Sequence, residues 1–152
     1  MENKSNSELI YDAKLIITTD FYQLIMGAAY YQYNLDNNRD ENEDIAVFEL
    51  FIRKYPKNRN YLIFAGLEQV IHYLLNARFS EDTINFLKSK KVFKNIDPRF
   101  FEEYLPNFKF KLDAWSMKEG TFFFPNEPIM RIQGPMFHAQ LAETYILNVI
   151  NY

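Results

Sequence analysis

The fold class is decided by residues 61–75, which read YLIFAGLEQVIHYLL. Residues 61–64 form a short apolar run of the length and composition of a strand. After Gly66, apolar residues recur at the i, i+3, i+4, i+7, i+8 spacing of an amphipathic helix. Those residues are Leu67, Val70, Ile71, Leu74 and Leu75. A strand that leads through a glycine into such a helix predicts a domain in which helices pack against a sheet.

A helix and an alternating strand are predicted upstream of this segment. Residues 18–20 are good helix N-cap side chains, and the apolar spacing after them predicts a helix over residues 20–34. The residues at that spacing are Tyr22, Ile25, Met26, Ala29 and Tyr33. Residues 34–44 hold five acidic side chains and one arginine, and we interpret them as a solvated surface loop. Residues 45–54 alternate, and the face predicted to enter the core is that of Ala46, Phe48, Leu50 and Ile52.

Downstream, the pattern predicts further helices and strands in alternation. Ser80 is the predicted N-cap of one helix, and Asp97-Pro98 is predicted to begin another. Strands are predicted at residues 108–115, 121–124 and 129–132. Gly134-Pro135 is predicted to end the last strand and to begin a final helix. The fold class predicted from these elements is α+β.

The final helix has no glycine, proline or basic turn to end it. We therefore expect its apolar side chains to lie exposed on this chain and to require further protein to pack against. They are Ile146, Leu147, Val149 and Ile150. On this basis we expect a polar lead-in at residues 1–14, an α/β domain at 15–134, and at 135–152 the start of a helix that leads into a further domain.

The composition excludes several classes of protein. The chain has 152 residues, of which 48% are hydrophobic and 24% are charged, as in an ordinary globular domain. A formal net charge of −3 gives no reason to expect binding to nucleic acid or to an anionic membrane. The lack of cysteine excludes disulfides, thiolate metal sites and a cysteine nucleophile. Apolar runs are too short to span a membrane, and residues 1–12 have no signal-peptide core, so we expect a cytoplasmic protein.

Residue types that perform chemistry are sparse. The two histidines, His72 and His138, have no metal-ligand spacing, so no metal site is predicted. We interpret His72 as a surface residue and His138 as a structural one. The sequence contains no nucleophile elbow, Walker loop or dinucleotide-binding glycine pattern. From residue types alone, the chain is an aromatic-rich α+β module.

A series of short motifs gives more information than any one of them. They are Thr18–Met26 (TTDFYQLIM), Ala46–Lys54 (AVFELFIRK), Tyr61–Glu68 (YLIFAGLE), Arg78–Ser80 (RFS), Glu119–Thr121 (EGT), Phe124–Pro128 (FPNEP), Gly134-Pro135 and Gln140–Thr144 (QLAET). Their order resembles that of the N-terminal portion of nicotinate phosphoribosyltransferases, which have TD-x-Y-Q-x-x-M, FELF-x-R, AGLE, EGT, FPNEP, GP and QL-x-ET in succession. The resemblance covers residues 15 to 152.

The resemblance implies a type II phosphoribosyltransferase, in which a sandwich-like N-terminal α/β domain precedes an irregular α/β barrel. Most of that barrel would be missing from this chain. Members work as homodimers and couple nicotinate to phosphoribosyl pyrophosphate, driven by ATP hydrolysis, to make nicotinate mononucleotide for NAD synthesis. Magnesium is expected with the phosphorylated substrates of the full enzyme. The resemblance implies no bound cofactor for this segment by itself, which we expect to be inactive.

The resemblance also assigns roles to particular residues. Tyr22 matches the tyrosine that reaches across the dimer and stacks on the pyridine ring, and Asp20 is its supporting or orienting group. Arg53 is a candidate phosphate contact on the mixed face of its strand. Glu143 and Thr144 are expected to support the domain junction. No catalytic residue is expected in this segment, and neither histidine matches the family's phosphorylated histidine.

Two alternatives remain open at this stage. The chain could be a free-standing interaction module whose exposed final helix docks a partner. It could also belong to a nicotinamide-using relative, since such enzymes share the D-x-Y element. The FPNEP and AGLE motifs favour nicotinate.

Overall fold

The computed structural model describes residues 14–151, which fold into an α+β domain. The helices are α1 (Phe21–Asp36), α2 (Leu67–Asn76), α3 (Glu81–Lys88) and α4 (Met136–Ile150). The strands are β1 (Ile45–Leu50), β2 (Leu62–Ile63), β3 (Asp113–Ser116), β4 (Phe122–Phe123) and β5 (Met130–Pro135). Short 3₁₀ turns lie at Ile16–Thr18, Glu41–Glu43 and Lys91–Phe93, and a π-helical turn lies at Phe100–Tyr104. The predicted fold class is confirmed, and within the described range the strands form no closed barrel.

The strands form an antiparallel sheet in the order β1-β5-β3 and a separate antiparallel ribbon of β2 and β4. The prediction that Gly134-Pro135 ends the last strand is wrong, because β5 continues through both residues. Gly134 pairs with Ala46, and a Cβ atom at this glycine would lie 2.3 Å from the carbonyl oxygen of Lys111. Only a residue without a side chain therefore lets the segment before β3 approach β5 so closely.

The alternation predicted for β1 is confirmed, although the strand is shorter than expected. Ala46 is buried, and Phe48 and Leu50 are half-buried against the core. The strand ends at Leu50, so Arg53 does not lie on its mixed face as predicted. Arg53 lies in an exposed bend instead. Just before this bend, the Ile52 carbonyl accepts a hydrogen bond from the backbone N–H of Asn126 at 2.8 Å.

The final helix lies in the core, and the expectation that its apolar side chains are exposed is wrong. Ile146 is only 4% exposed, and Leu147, Val149 and Ile150 are half-buried. The helix packs against α1, α2 and the sheet, which cover part of its apolar surface. The predicted domain boundary at residue 134 stays a prediction.

Helices α1 and α2 lie where the sequence predicts, but their buried faces differ from the predicted stripes. In α1, Tyr22 and Tyr33 are 59% and 53% exposed, whereas Gln23, Gly27 and Ala28 are buried. A Cβ atom on Gly27 would lie 2.4 Å from the Phe137 ring, so the inward face of α1 needs small residues. In α2, the predicted stripe residues Ile71 and Leu75 are exposed, and the buried residues are Val70 and Tyr73.

Within residues 14–151, no helix combines the length and apolarity needed to cross a bilayer.

Helix α2 begins at a glycine with left-handed backbone. Gly66 has a φ of +103°, and a Cβ atom there would lie 2.8 Å from Cγ1 of Val149 on α4. Because Gly66 has no side chain, the carboxylate of Glu119 caps the helix instead. Its Oε1 accepts hydrogen bonds from the backbone N–H groups of Gly66 and Leu67, each at 2.7 Å. The AGLE and EGT motifs therefore meet at one helix start, where a carboxylate also interacts favourably with the helix dipole.

We predict that Gly66→Ala destabilises the domain more than Gly120→Ala does. Both glycines have positive φ, which costs an alanine roughly 1–2 kcal/mol. Nothing lies within 4 Å of the Cβ position at Gly120, whereas at Gly66 the new methyl group would also overlap with Val149. The free energy of unfolding in urea measures both losses. Equal losses would show that the helix start tolerates the overlap.

Candidate functional site

The first turn of α1 presents the tyrosine that the motif comparison singles out. Asp20 is the N-cap, and its Oδ1 accepts a hydrogen bond from the backbone N–H of Tyr22 at 2.9 Å. Capping fixes where the helix begins. The Tyr22 side chain, 59% exposed, therefore projects from a fixed helix start into solvent.

A polar cluster lies beneath this turn, between α1 and α4. Gln23, which is 8% exposed, donates from Nε2 to Oε2 of Glu143 at 2.9 Å. Gln140 donates from its own Nε2 to Oε1 of Gln23 and, at 3.4 Å, to Oε2 of Glu143. Each buried amide is satisfied, as buried polar groups require. The cluster fixes the rotation of α1 about its axis relative to α4.

Further contacts anchor the residues just before α1. The backbone N–H of Asp20 donates to Oγ1 of Thr144 at 3.4 Å, and the hydroxyls of Thr19 and Tyr73 lie 3.3 Å apart. The Tyr73 hydroxyl also lies 3.4 Å from the carbonyl oxygen of Leu141, to which it donates. Burial raises the pKa of Tyr73 well above its ordinary value, against the opposing effect of the Thr19 hydrogen bond, so the hydroxyl stays protonated. Helix α4 thus holds the start of α1 on both sides.

The structure brings together four of the five residues selected from the sequence. Asp20 and Tyr22 lie on the turn, and Glu143 and Thr144 hold that turn from α4, through Gln23 and the Asp20 backbone respectively. Arg53 lies in an exposed bend after β1, and within residues 14–151 none of the hydrogen bonds that join the other four to this turn involves it. The substrate-binding roles of Tyr22, Asp20 and Arg53 stay predictions.

Sequence reasoning overlooked Gln23, Gln140 and Glu119 as individual residues. All three lie inside the quoted motifs, next to residues that were selected, so motif membership was an available signal. Another motif carboxylate is also structural, since Glu127 accepts a hydrogen bond from the backbone of Phe124 at 2.9 Å and closes the FPNEP turn.

Within the described range, His, Asp and Glu form no group of three or more that could hold a metal ion.

The two histidines differ in burial. His138 is 1% exposed and stacks against Phe108 at 5.0 Å between ring centroids, which agrees with a structural role. The backbone N–H of Lys111 donates to its Nδ1 at 3.2 Å, so Nε2 bears the proton and faces Oε2 of Glu41 at 3.4 Å. His72 is half-buried on α2, less exposed than the surface position predicted for it, and interacts with Asn76.

Glu41 is an exception to the interpretation of residues 34–44 as a solvated loop, although most of that segment is exposed as predicted. Its carboxylate is bound by His138, by the Lys111 ammonium group and by the Tyr104 hydroxyl, which donates at 2.5 Å. Burial raises the pKa of Glu41, but the hydrogen bonds from His138, Lys111 and Tyr104 together outweigh it and lower the pKa from 4.5 to about 2. This segment also begins inside α1, which continues to Asp36.

The fold points to a class of protein. An open sheet covered by helices, with no closed barrel in residues 14–151, fits the N-terminal domain of a phosphoribosyltransferase rather than its barrel. The family model described as nicotinate phosphoribosyltransferase (NAPRTase) N-terminal domain matches residues 17–151. The chain belongs to this family.

Individual relatives agree with this assignment. The chain is 39% identical over 141 residues to the nicotinate phosphoribosyltransferase of Bacillus subtilis (strain 168), covering 93% of this chain and 27% of that one. It is 37% identical over 138 residues to the Caenorhabditis elegans nicotinate phosphoribosyltransferase, covering 90% and 23%. The crystal structure of human nicotinic acid phosphoribosyltransferase matches with a TM-score of 0.75 and 30% identity, covering 88% of this chain and 25% of that chain. The chain therefore spans about a quarter of the length of these relatives.

We predict that acid weakens the fold partly through Glu41. Its folded pKa lies below the unfolded value, so its stabilisation is present above pH 4.5 and is lost as the pH falls from about 4.5 to about 2. Glu41→Gln should lower stability at pH 7 and flatten the decline in stability over this range. Glu43→Gln, at an exposed neighbour, is the matched control and should leave the decline unchanged. Urea unfolding at a series of pH values measures both, and equal slopes in wild type and Glu41→Gln would contradict the prediction.

Proposed function

We propose that this chain is the N-terminal domain of an enzyme that couples nicotinate to phosphoribosyl pyrophosphate. The products are nicotinate mononucleotide and pyrophosphate, in NAD synthesis, and ATP hydrolysis drives turnover. The observation that supports this most directly is the exposed ring of Tyr22 on a helix start held by Asp20, Gln23 and Glu143. Membership of the family and the names of the relatives point to the same reaction.

Tyr22 is the proposed contact to nicotinate. An aromatic face suits a flat heteroaromatic acid, and a helix start that is fixed before binding reduces the freedom lost when the substrate arrives. The side chain points away from its own domain, so the nicotinate that it contacts would lie outside this domain. From the resemblance to the family, we place that nicotinate in a neighbouring subunit of a homodimer. Asp20 orients the tyrosine through the cap and does not need to touch substrate.

The remaining chemistry concerns charge and alignment. The bond at the ribose carbon breaks with oxocarbenium character, so the site must align the pyridine nitrogen and stabilise the departing pyrophosphate. Arg53, exposed in its bend, is the proposed phosphate contact from this domain. Magnesium would bind the substrate phosphates. The described residues provide no donor group that fits the ion, so we derive no step through it. We also propose that the enzyme acts in the cytoplasm.

The alternatives have less support. The interaction module depended on an exposed apolar final helix, whereas Ile146 is buried and α4 is a core element. Nicotinamide use has no observation in its favour, since the relatives compared above are named for nicotinate or nicotinic acid.

A chimeric enzyme tests the role of Tyr22. This chain replaces the matching stretch of the Bacillus subtilis relative, to which it is 39% identical. Tyr22→Ala should lower kcat/KM for nicotinate roughly tenfold or more, because stacking contributes about 0.5–1.5 kcal/mol beyond the lost ring contact. The KM for phosphoribosyl pyrophosphate should change little. Tyr22→Phe should retain most activity, since the ring does the stacking.

The matched control is Tyr33→Ala, which removes a similarly exposed tyrosine, 53% against 59%, from the other end of the same helix. It should leave nicotinate kinetics unchanged. Mixed dimers test the cross-subunit contact: a Tyr22→Ala subunit paired with a subunit inactivated in the barrel should recover at most one working site. Normal nicotinate kinetics in Tyr22→Ala would mean that the tyrosine does not contact the substrate.

We further predict that the 152-residue chain alone forms no nicotinate mononucleotide. It spans about a quarter of its relatives' length, and Arg53 is the one phosphate contact that we assign to it. The purified chain is incubated with nicotinate, phosphoribosyl pyrophosphate, ATP and magnesium, and the product is separated by chromatography. The unmutated chimera is the positive control. Product formed by the chain alone would contradict the proposal that this domain needs the rest of the enzyme for the reaction.

A further inference from the structure

Two buried polar side chains flank the exposed turn that carries Tyr22. Among residues 14–151, the buried polar or charged side chains are those of Thr19, Gln23 and His138. The first two lie on either side of residues 20–22, which are all exposed. Gln23 is held from α4, and Thr19 is held from a different helix, α2.

The group that holds Thr19 is the hydroxyl of Tyr73, whose ring is fixed by packing. The ring is fully buried and stacks on Tyr145, with centroids 4.0 Å apart and planes 8° apart. It also lies 5.2 Å from the ring of Phe110. Because close packing leaves such a ring no room to swing, its hydroxyl oxygen keeps one position in the core.

The donors and acceptors around this hydroxyl follow from their chemistry. The carbonyl oxygen of Leu141 can only accept, so the single proton of the Tyr73 hydroxyl is donated to it, at 3.4 Å. The Thr19 hydroxyl must then donate to the Tyr73 oxygen, 3.3 Å away. The three groups form one directed chain that joins the residue before the N-cap of α1 to α2 and α4.

Stability alone explains this pair of hydroxyls poorly. Both distances are long for hydrogen bonds between hydroxyl and oxygen, so each bond contributes little. Taking two hydroxyls out of water costs free energy that valine and phenylalanine, of nearly the same shapes, would not incur. A buried hydroxyl that leaves its partner is unpaired, however, so the pair favours one placement of the segment before α1.

We propose that Tyr73 and Thr19 are positioning residues for Tyr22, which fix the start of α1 from α2 while Gln23 fixes it from α4. This role rests on the proposed function, in which Tyr22 contacts nicotinate. With an anchor on each side, the Tyr22 backbone keeps one place relative to the domain, so less freedom is lost when the substrate is bound. Neither Tyr73 nor Thr19 needs to touch the substrate, since both are buried.

A spin label at position 22 tests the positioning without any substrate. The chain has no cysteine, so Tyr22→Cys gives the 152-residue chain a single labelling site. Thr19→Val and Tyr73→Phe should each increase the mobility of the label in its electron paramagnetic resonance spectrum, whereas Thr19→Ser, which keeps the hydroxyl, should not. A label introduced by Tyr33→Cys, at the other end of α1, should be unaffected by all three changes. Unchanged mobility at position 22 in both variants that lack a hydroxyl overturns the proposal.

The chimeric enzyme tests the consequence for the substrate. Tyr73→Phe should raise the KM for nicotinate roughly threefold or more, with little change in kcat or in the KM for phosphoribosyl pyrophosphate. In a Tyr22→Ala background the same change should have no further effect, because its route to the substrate is gone. The matched control is Tyr104→Phe, which removes the hydroxyl that donates to Glu41 at 2.5 Å. It should lower the urea midpoint more than Tyr73→Phe does, since a bond to a carboxylate is stronger, and leave the nicotinate KM unchanged.

Failure of the proposed function and failure of the positioning role give different results. Normal nicotinate kinetics in Tyr22→Ala would contradict the proposed function, whereas the spin label would still decide whether the hydroxyls fix the helix start. If Tyr22→Ala impairs nicotinate use and Tyr73→Phe does not, the positioning role is wrong. It is also wrong if the effects of the two changes multiply, because Tyr73 would then act by a route other than Tyr22.

Discussion

The close antiparallel packing of α1 on α4 is the constraint on which the rest of the domain depends. At one end, the Gln23 amide lies between Gln140 and Glu143. One turn further along α1, Gly27 admits the ring of Phe137. A single rotation of α1 satisfies both contacts, and that rotation turns Tyr22 outward. Because α4 also covers the sheet, the position of the tyrosine is fixed relative to the whole domain.

The sequence predicts the elements of this fold better than it predicts their orientation. Capping residues and apolar spacing locate α1 and α2, and alternation locates the inward face of β1. Hydrophobic spacing fails for α1 because its inward face needs small or paired polar residues, such as Gly27 and Gln23. No hydrophobicity pattern can distinguish a glutamine satisfied by a distant carboxylate from one in water. The same reasoning fails for Glu41, whose partners lie on distant segments.

The candidate site divides in a similar way. The order of the motifs selects Asp20, Tyr22, Glu143 and Thr144, which the fold brings to one place. The prediction for Arg53 extended the alternation past Leu50, whereas the strand ends there and Arg53 lies in an exposed bend, which the alternation does not reveal. A glutamate within a motif can also accept hydrogen bonds from backbone N–H groups, as Glu119 does at the start of α2. Motif order therefore locates a site more reliably than it assigns each residue's task.

The contact between Gln23 and Glu143 joins positions 120 residues apart in the chain. During synthesis at about 5–20 residues per second, α1 must wait roughly 6–24 seconds before its partner helix is made. Throughout that interval, the Gln23 amide lacks its native hydrogen-bond partners on α4. The surface of α1 at Gly27 likewise lacks the Phe137 ring that packs against it. Contacts between residues so distant in sequence form slowly, so the closure of α1 on α4 is a late event at the ribosome. A nascent chain halted before α4 would lack the fixed tyrosine altogether.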